Sequence, residues 1–261
     1  MLVLKSLDVN SFDINSFTLT WEFEPTFELI SDYNIDVYRS ESPNLGEITD
    51  YDHIASGLSA TTYSYTDTGV SGLYDPHRNW YYKIKLTDSD TAETNVVPFM
   101  PAYVKDISVD KVIKHALRRK SLALKKYSGR PLKVLKKRSW GTRCTECWDD
   151  TLMRVTDNCS TCYGTGWLEG YFTPIDVKGM LSPSPKVNQI TMFGEWMPSD
   201  TLLTMLNFPP LKPRDVIVDD VNKRWIVKNI RTIEKGGFII EQSAQLNLIS
   251  QDDLIYSIAV V

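Results

Sequence analysis

All four cysteines of the 261-residue chain lie in one short stretch, Cys144-Thr145-Glu146-Cys147, eleven residues, then Cys159-Ser160-Thr161-Cys162. Two Cys-x-x-Cys pairs at this separation suit one tetrahedral zinc ion, because each knuckle points two sulfurs at a common centre and a connecting hairpin brings the knuckles together. Cys144, Cys147, Cys159 and Cys162 are therefore the expected metal ligands. A disulfide with two free thiols is the competing assignment, but vicinal pairs suit a metal better than bridges. A thioredoxin-like motif needs one pair opening a helix after a strand, and neither Cys144 nor Cys159 has that context. Four thiolates fill the coordination shell, so the expected zinc is structural, worth about 10–16 kcal/mol of folding free energy in small sites. Iron suits four thiolates as well. Gly164 and Gly166 are expected at positive φ beneath the sulfurs, with Trp148, Tyr163 and Trp167 covering the site.

Charge is distributed unevenly. Residues 1–100 carry 5 Lys/Arg against 16 Asp/Glu, residues 101–143 carry 14 against 2, and residues 144–261 carry 10 against 15. A basic band between acidic blocks suits nucleic acid, a nucleic-acid channel or an acidic neighbour. Apolar runs are short, and neither a membrane span nor an export signal is expected.

Residues 1–100 alternate with period two at Phe17, Leu19, Trp21 and Phe23, at Tyr33, Ile35 and Val37, at Tyr63 and Tyr65, and at Tyr82, Ile84 and Leu86. With turn clusters between, this predicts about seven strands in a β-sandwich, Trp21 being a core residue. A basic helix is expected over 108–127, capped by Ser108 with Asp110 at its N-terminal dipole, and ended by Ser128 with Gly129 left-handed. Its charged face is Lys111, Lys114, Arg118, Arg119, Lys125 and Lys126. A basic strand over Lys133–Arg138 is expected to lead to Trp140 and the first knuckle.

Seven prolines between Tyr171 and Pro213 (Pro174, Pro183, Pro185, Pro198, Pro209, Pro210 and Pro213) predict an irregular connection, an arm carrying Met192, Phe193, Trp196 and Met197. The last block reads as a meander through Val216–Val218, Trp225–Arg231 and Phe238–Gln242, with Gly236-Gly237 at a tight turn. A small, partly open β-barrel is expected over 175–261. The fold class is thus mainly β with a basic helix, divided into 1–100 sandwich, 101–143 helix and strand linker, 144–174 zinc ribbon and 175–261 arm with a small barrel-like domain.

Enzymatic constellations are weak: His53, His77 and His115 stand in separate contexts, no phosphate loop appears, and Asp219-Asp220 reads as turn acidics. No catalytic residue is expected.

Leu19-Thr20-Trp21, Tyr33-Asn34-Ile35-Asp36-Val37-Tyr38-Arg39 and Trp80-Tyr81-Tyr82-Lys83-Ile84 fall in the order that resembles a fibronectin type III domain, which implies a spacer or adhesion sandwich. A second likeness rests on Leu117-Arg118-Arg119-Lys120 through Ser128-Gly129-Arg130-Pro131, and on Lys136-Lys137-Arg138-Ser139-Trp140-Gly141. It continues through both cysteine knuckles, Cys162-Tyr163-Gly164-Thr165-Gly166 and Gly170-Tyr171-Phe172-x-Pro174. Over 105–174 these residues resemble tailed-bacteriophage virion structural proteins of the neck, or head-to-tail connector. That resemblance implies assembly in host cytoplasm into a homo-oligomeric ring under the portal, contacts with portal and other neck and tail proteins, and contact of the basic helix with passing DNA. The alternative is a zinc-ribbon nucleic-acid-binding protein using the helix 108–127, whose binding would weaken steeply with salt. A third reading rests on Cys159-x-x-Cys162-x-Gly164-x-Gly166, which resembles half a zinc repeat of J-domain co-chaperones; their His-Pro-Asp and further repeats do not occur in this chain.

Overall fold

The computed structural model describes residues 2–13, 16–43, 48–70, 80–103, 111–155, 159–183, 200–235 and 238–260. Val109, Ser108, Asp110, His77, Asn158, Pro185, Met192, Phe193, Trp196, Met197, Pro198 and the Gly236-Gly237 turn lie outside them. The described chain is mainly β with one α-helix, as expected, but it groups into two compact units that interleave along the sequence. Unit 1 is Met1–Ser108 with Arg138–Phe172, and unit 2 is Val109–Lys137 with Thr173–Val261. The four consecutive segments read from the sequence do not match this division. The expected linker is split between the units, and the cysteine segment belongs with the N-terminal sheets.

In unit 1, strands β1 (Leu4–Asp13), β2 (Ser16–Phe23) and β5 (Ser64–Asp67) form an antiparallel sheet in the order β1-β2-β5. Strands β3 (Tyr33–Ser40), β4 (Asp52–Ser59), β6 (Tyr81–Asp88) and β7 (Thr94–Tyr103) form a second, ordered β4-β3-β6-β7. The period-two residues all face one shared core: Phe17, Leu19, Trp21 and Phe23 from β2, Tyr33, Ile35 and Val37 from β3, and Tyr82, Ile84 and Leu86 from β6. Alternation sends every second side chain to the same face, so two half-apolar sheets bury their stripes against each other. Asp67 ties the sheets together: Arg39 Nη1 donates to its carboxylate at 2.9 Å, and the Tyr82 hydroxyl at 3.0 Å.

The core takes in two residues from the cysteine segment. Trp140 stands edge-on to Phe23, ring centroids 5.1 Å apart, and 4.9 Å from Phe172, and both Trp140 and Phe172 are buried in the sandwich core. Polar stitching follows. Thr26 N–H donates to the Gly141 carbonyl, Arg143 N–H to the Thr26 carbonyl at 2.8 Å, and Thr142 Oγ1 accepts from Ile30 N–H while donating to the Glu28 carbonyl at 2.7 Å. Gly141, at φ +121°, lies so close to Ile30 that a Cβ would stand 2.9 Å from its Cδ1.

Unit 2 is a closed six-stranded antiparallel barrel, where a partly open one was expected. It is built from β8 (Arg130–Leu135), β11 (Ile175–Pro183), β12 (Asp200–Leu206), β13 (Val216–Val218), β14 (Arg224–Lys235) and β15 (Phe238–Leu248), ordered β11-β12-β15-β14-β13-β8. Closure comes from β8, which pairs with β11 (Ile175 opposite Val134) on one side and with β13 (Ile217 opposite Val134) on the other. Leu132, Val134, Leu203, Met205, Ile217, Val227, Ala244 and Leu246 fill the interior. The expected meander of the last block is β13, β14 and β15.

Three sequence expectations need correction. The basic run 133–138 does not continue as a strand toward Trp140, because β8 ends at Leu135 and Lys136 turns inward. Lys136 Nζ donates to Asp215 and to the Pro210 carbonyl in a buried pair, and burial pulls its pKa down. Second, the proline-rich stretch contributes two barrel strands, β11 and β12, because its described prolines sit at strand ends or in the 207–213 loop. Gln242 holds that loop, accepting from Leu211 N–H at 2.8 Å and donating to the carbonyls of Leu206 and Pro209. Third, Gly129 is not left-handed: its φ is −87°. The helix α1 (Lys111–Ala123) widens into a π turn over Leu124–Ser128, closed by Gly129 N–H donating to the Leu124 carbonyl at 3.0 Å. A Cβ on Gly129 would lie 2.2 Å from that oxygen, so glycine is needed for close approach and not for handedness.

Trp140→Ala is expected to lower the stability of unit 1 by about 3–5 kcal/mol, the range for truncating a buried aromatic. Denaturant unfolding, with hydrogen exchange rising over 138–172, is the check. A pH dependence follows from Tyr33, whose hydroxyl donates to Glu28 Oε2 at 2.8 Å. Burial and that bond raise its pKa from 10.0 to about 12, and burial raises that of Tyr82 as well. A raised phenol pKa stabilises the fold fully below the unfolded value, and this is lost as pH climbs through the folded one. Unit 1 is therefore expected to lose stability between pH 10 and about 12, with Tyr33→Phe flattening that fall in thermal melts.

Candidate metal centre

Each knuckle folds back on itself in the same way. Trp148 N–H donates to the Cys144 carbonyl at 3.2 Å, and Tyr163 N–H to the Cys159 carbonyl at 2.8 Å, so each Cys-x-x-Cys is wound into a single turn that aims both sulfurs one way. Between them runs the short hairpin of β9 (Trp148–Asp149) and β10 (Arg154–Val155), as the spacing implied. Asp149 Oδ1 accepts from Thr151 and Leu152 N–H groups and shapes its turn. The second knuckle leads into a run of left-handed backbone, Tyr163, Gly164, Gly166, Glu169 and Gly170. The expected positive φ of Gly164 and Gly166 is observed, +69° and +81°. Gly170, to which the sequence pattern assigns no role, is sterically required: a Cβ there would lie 2.6 Å from the Cys162 carbonyl oxygen.

These turns bring all four sulfurs within 4.8 Å of one another, each cysteine buried and none in a disulfide. Cys144 and Cys159 sulfurs are 3.8 Å apart, and those of Cys147 and Cys162 3.1 Å. A tetrahedral ion with metal–sulfur bonds near 2.3 Å sets sulfur–sulfur edges of about 3.8 Å. A disulfide would need about 2.05 Å. The donor set therefore fits a four-coordinate metal, which Cys144, Cys147, Cys159 and Cys162 would hold with no position left for water or substrate.

Electrostatics point the same way. Burial pushes the Cys144 and Cys147 thiols up, which disfavours the thiolate form unless a cation compensates. At Cys159 burial acts in the same direction, but the Thr161 and Cys162 N–H groups outweigh it and the pKa is lowered. Glu146 Oε2 accepts from Thr161 Oγ1 at 2.6 Å and from the Cys159 thiol at 3.3 Å, and the second bond is one that a metal-bound thiolate gives up.

The aromatic cover differs from expectation. The apolar side chain packed on the sulfurs is Val155. Trp148 and Trp167 instead take the two faces of Arg143, whose guanidinium carbon lies 3.9 and 3.8 Å from their ring centroids. Tyr163 packs toward Tyr171. Arg143 is thus a third support that composition alone did not reveal, joining the first knuckle to the strand bridge at Trp167.

Residues considered for other chemistry stay apart. His53 packs on Tyr38 in unit 1, and His115 is exposed on α1. Asp219 Oδ1 accepts from Val221 and Lys223 N–H groups as a turn residue. No described helix is long and apolar enough to cross a membrane.

Acidification is expected to release bound metal, because protons compete for each ligand thiolate. Cys144→Ser or a chelator should open the 138–172 backbone to hydrogen exchange while β2, β3 and β6 stay protected. A chromogenic metal indicator and domain-resolved exchange measure the two effects. No protein-family model matches the chain, and no curated protein matches it.

Proposed function

We propose that the chain is a non-enzymatic structural subunit of a tailed-phage virion, placed in the neck as a member of a ring beneath the portal and contacting neighbouring neck and tail proteins. The observation that carries this reading is the coordinatively closed four-sulfur site. A buried tetrathiolate has no open position for a reacting group, so its contribution is mechanical. The sequence likeness over 105–174 supplies the virion context, and the site's supporting residues Trp140, Gly164, Gly166, Gly170 and Phe172 all fall within it.

The metal in this reading is zinc, since four cysteine sulfurs at tetrahedral spacing suit it and the site's role needs no redox change. The N-terminal sheets read as a fibronectin type III-like sandwich. Three strands facing four around Trp21 support that, and it would serve as a spacer or adhesion element on the ring.

One equivalent of zinc per chain by elemental analysis, and closed rings in negative-stain images of the chain alone or with portal complexes, are the expected results. Iron in place of zinc would overturn the metal assignment. Monomers that join no portal or neck assembly would overturn the ring.

A further inference from the structure

The basic band is not uniformly a surface. Lys136 is neutralised by Asp215, Arg138 by Glu169, Lys133 by Asp176 at 3.6 Å, and Lys120 by Glu241. Lys136 and Arg138 are buried, whereas Lys133 and Lys120 pair nearer the surface. Arg143 is taken up by Trp148 and Trp167, and the exposed cations of the band gather on one face of α1 and its exit. Arg118, Arg119, Lys125, Lys126 and Arg130 are all exposed, and among the described residues none has a carboxylate partner within 4.0 Å. Lys178 of β11 joins them, its Nζ 3.5 Å from the Lys125 carbonyl.

Geometry puts these charges on a common side. Ile113, Leu117 and Leu124 form the buried stripe of the helix, which packs against β15. At 100° per residue Arg118 and Arg119 lie on the opposite side, flanking the exposed Leu122, and Lys125 and Lys126 follow as exposed residues of the π turn after buried Leu124. The stretch from Lys111 to Thr145 contains no Asp or Glu. Protein interfaces fix register with charges of both signs and are depleted in lysine. A single-sign face is complementary to a uniformly charged polymer.

We propose that this face of α1 binds the phosphate backbone of double-stranded DNA without reading sequence. The pairs Arg118/Arg119 and Lys125/Lys126 are seven residues apart, at most about 10 Å along the axis. That span is of the scale of the roughly 12 Å wide B-form major groove, whose flanking phosphates the two pairs would contact. The deep, narrow major groove of A-form RNA does not admit a helix. Single strands are held by rows of stacking aromatics, and the rings exposed on α1 and its exit are His115 and Tyr127, too few to form such a row. Asn and Gln, the usual readers of adenine, are absent from α1. The inference does not depend on the virion reading, and either can fail alone.

The test is fluorescence anisotropy of the full chain with a labelled duplex, a scrambled duplex, the matching single strand and polyglutamate as competitor, across a salt series. Expected are equal affinity for both duplexes, weaker binding of the single strand, and a linear loss of log affinity with log salt. The quadruple variant Arg118→Ala, Arg119→Ala, Lys125→Ala, Lys126→Ala should bind at least about tenfold more weakly, with the salt slope reduced by about 3 to 4, near 0.9 per lost phosphate contact. Its thermal melt and helical circular dichroism should match the parent. Arg231→Ala with Lys235→Ala, exposed cations on β14, should leave binding unchanged. The proposal is overturned by absent duplex binding at low salt, by a quadruple variant that binds like the parent, or by a β14 variant that weakens equally. Tighter binding of single strand, or displacement of duplex by polyglutamate at matched charge, overturns it too.

Discussion

The two-sided pairing of β8 is the constraint on which the rest depends. Residues 130–135 close the barrel by hydrogen bonding to β11 and to β13 at once, so neither of those strands is left as an open edge. Because β8 and β11 are also antiparallel neighbours, the chain leaves the barrel after Lys137 and returns at Thr173 beside its point of departure. The cysteine segment is therefore an excursion between two adjacent strands. The β8–β11 ladder brings the two ends of the excursion together, which lowers the loop-closure entropy of ordering it.

Within that excursion two kinds of force divide the work. Trp140 and Phe172 anchor its ends in the sandwich core, where burial of large aromatic surfaces dominates. Its middle has little apolar surface of its own beyond Val155, and is organised instead by converging sulfurs, tight left-handed turns and the Trp148–Arg143–Trp167 stack. A metal at the four sulfurs would supply the cohesion that this small core does not, beside the Thr142 and Trp140 contacts that tie the segment to the sandwich.

Much of this was legible in the residues. The period-two runs named the sandwich strands and their buried faces, since alternation has one structural solution when half the side chains are apolar. The paired knuckles named the four site residues, since local turns alone decide where vicinal cysteines aim. Less legible was the fate of the charges. Lys136 and Arg138 look on paper like Arg118 and Arg119, yet the first two are buried ion-paired cations and the others are exposed. Gly129 likewise satisfied a familiar left-handed pattern but serves a π turn, because the helix widens before it ends and packs the Leu124 carbonyl against the glycine.

The sequence by itself determined the local periodicities, the strand and helix types, and the set of sulfur ligands, because each depends on residues a few positions apart. Only the tertiary structure decided that β8 belongs to the barrel, that the described prolines of 171–213 sit at strand ends or in the 207–213 loop, and which cations are internal. Those outcomes rest on partners tens of residues distant, such as Asp215 for Lys136 and Ile217 for Val134. Long-range pairing is chosen by burial and hydrogen-bond satisfaction over the whole unit, and no local pattern encodes it.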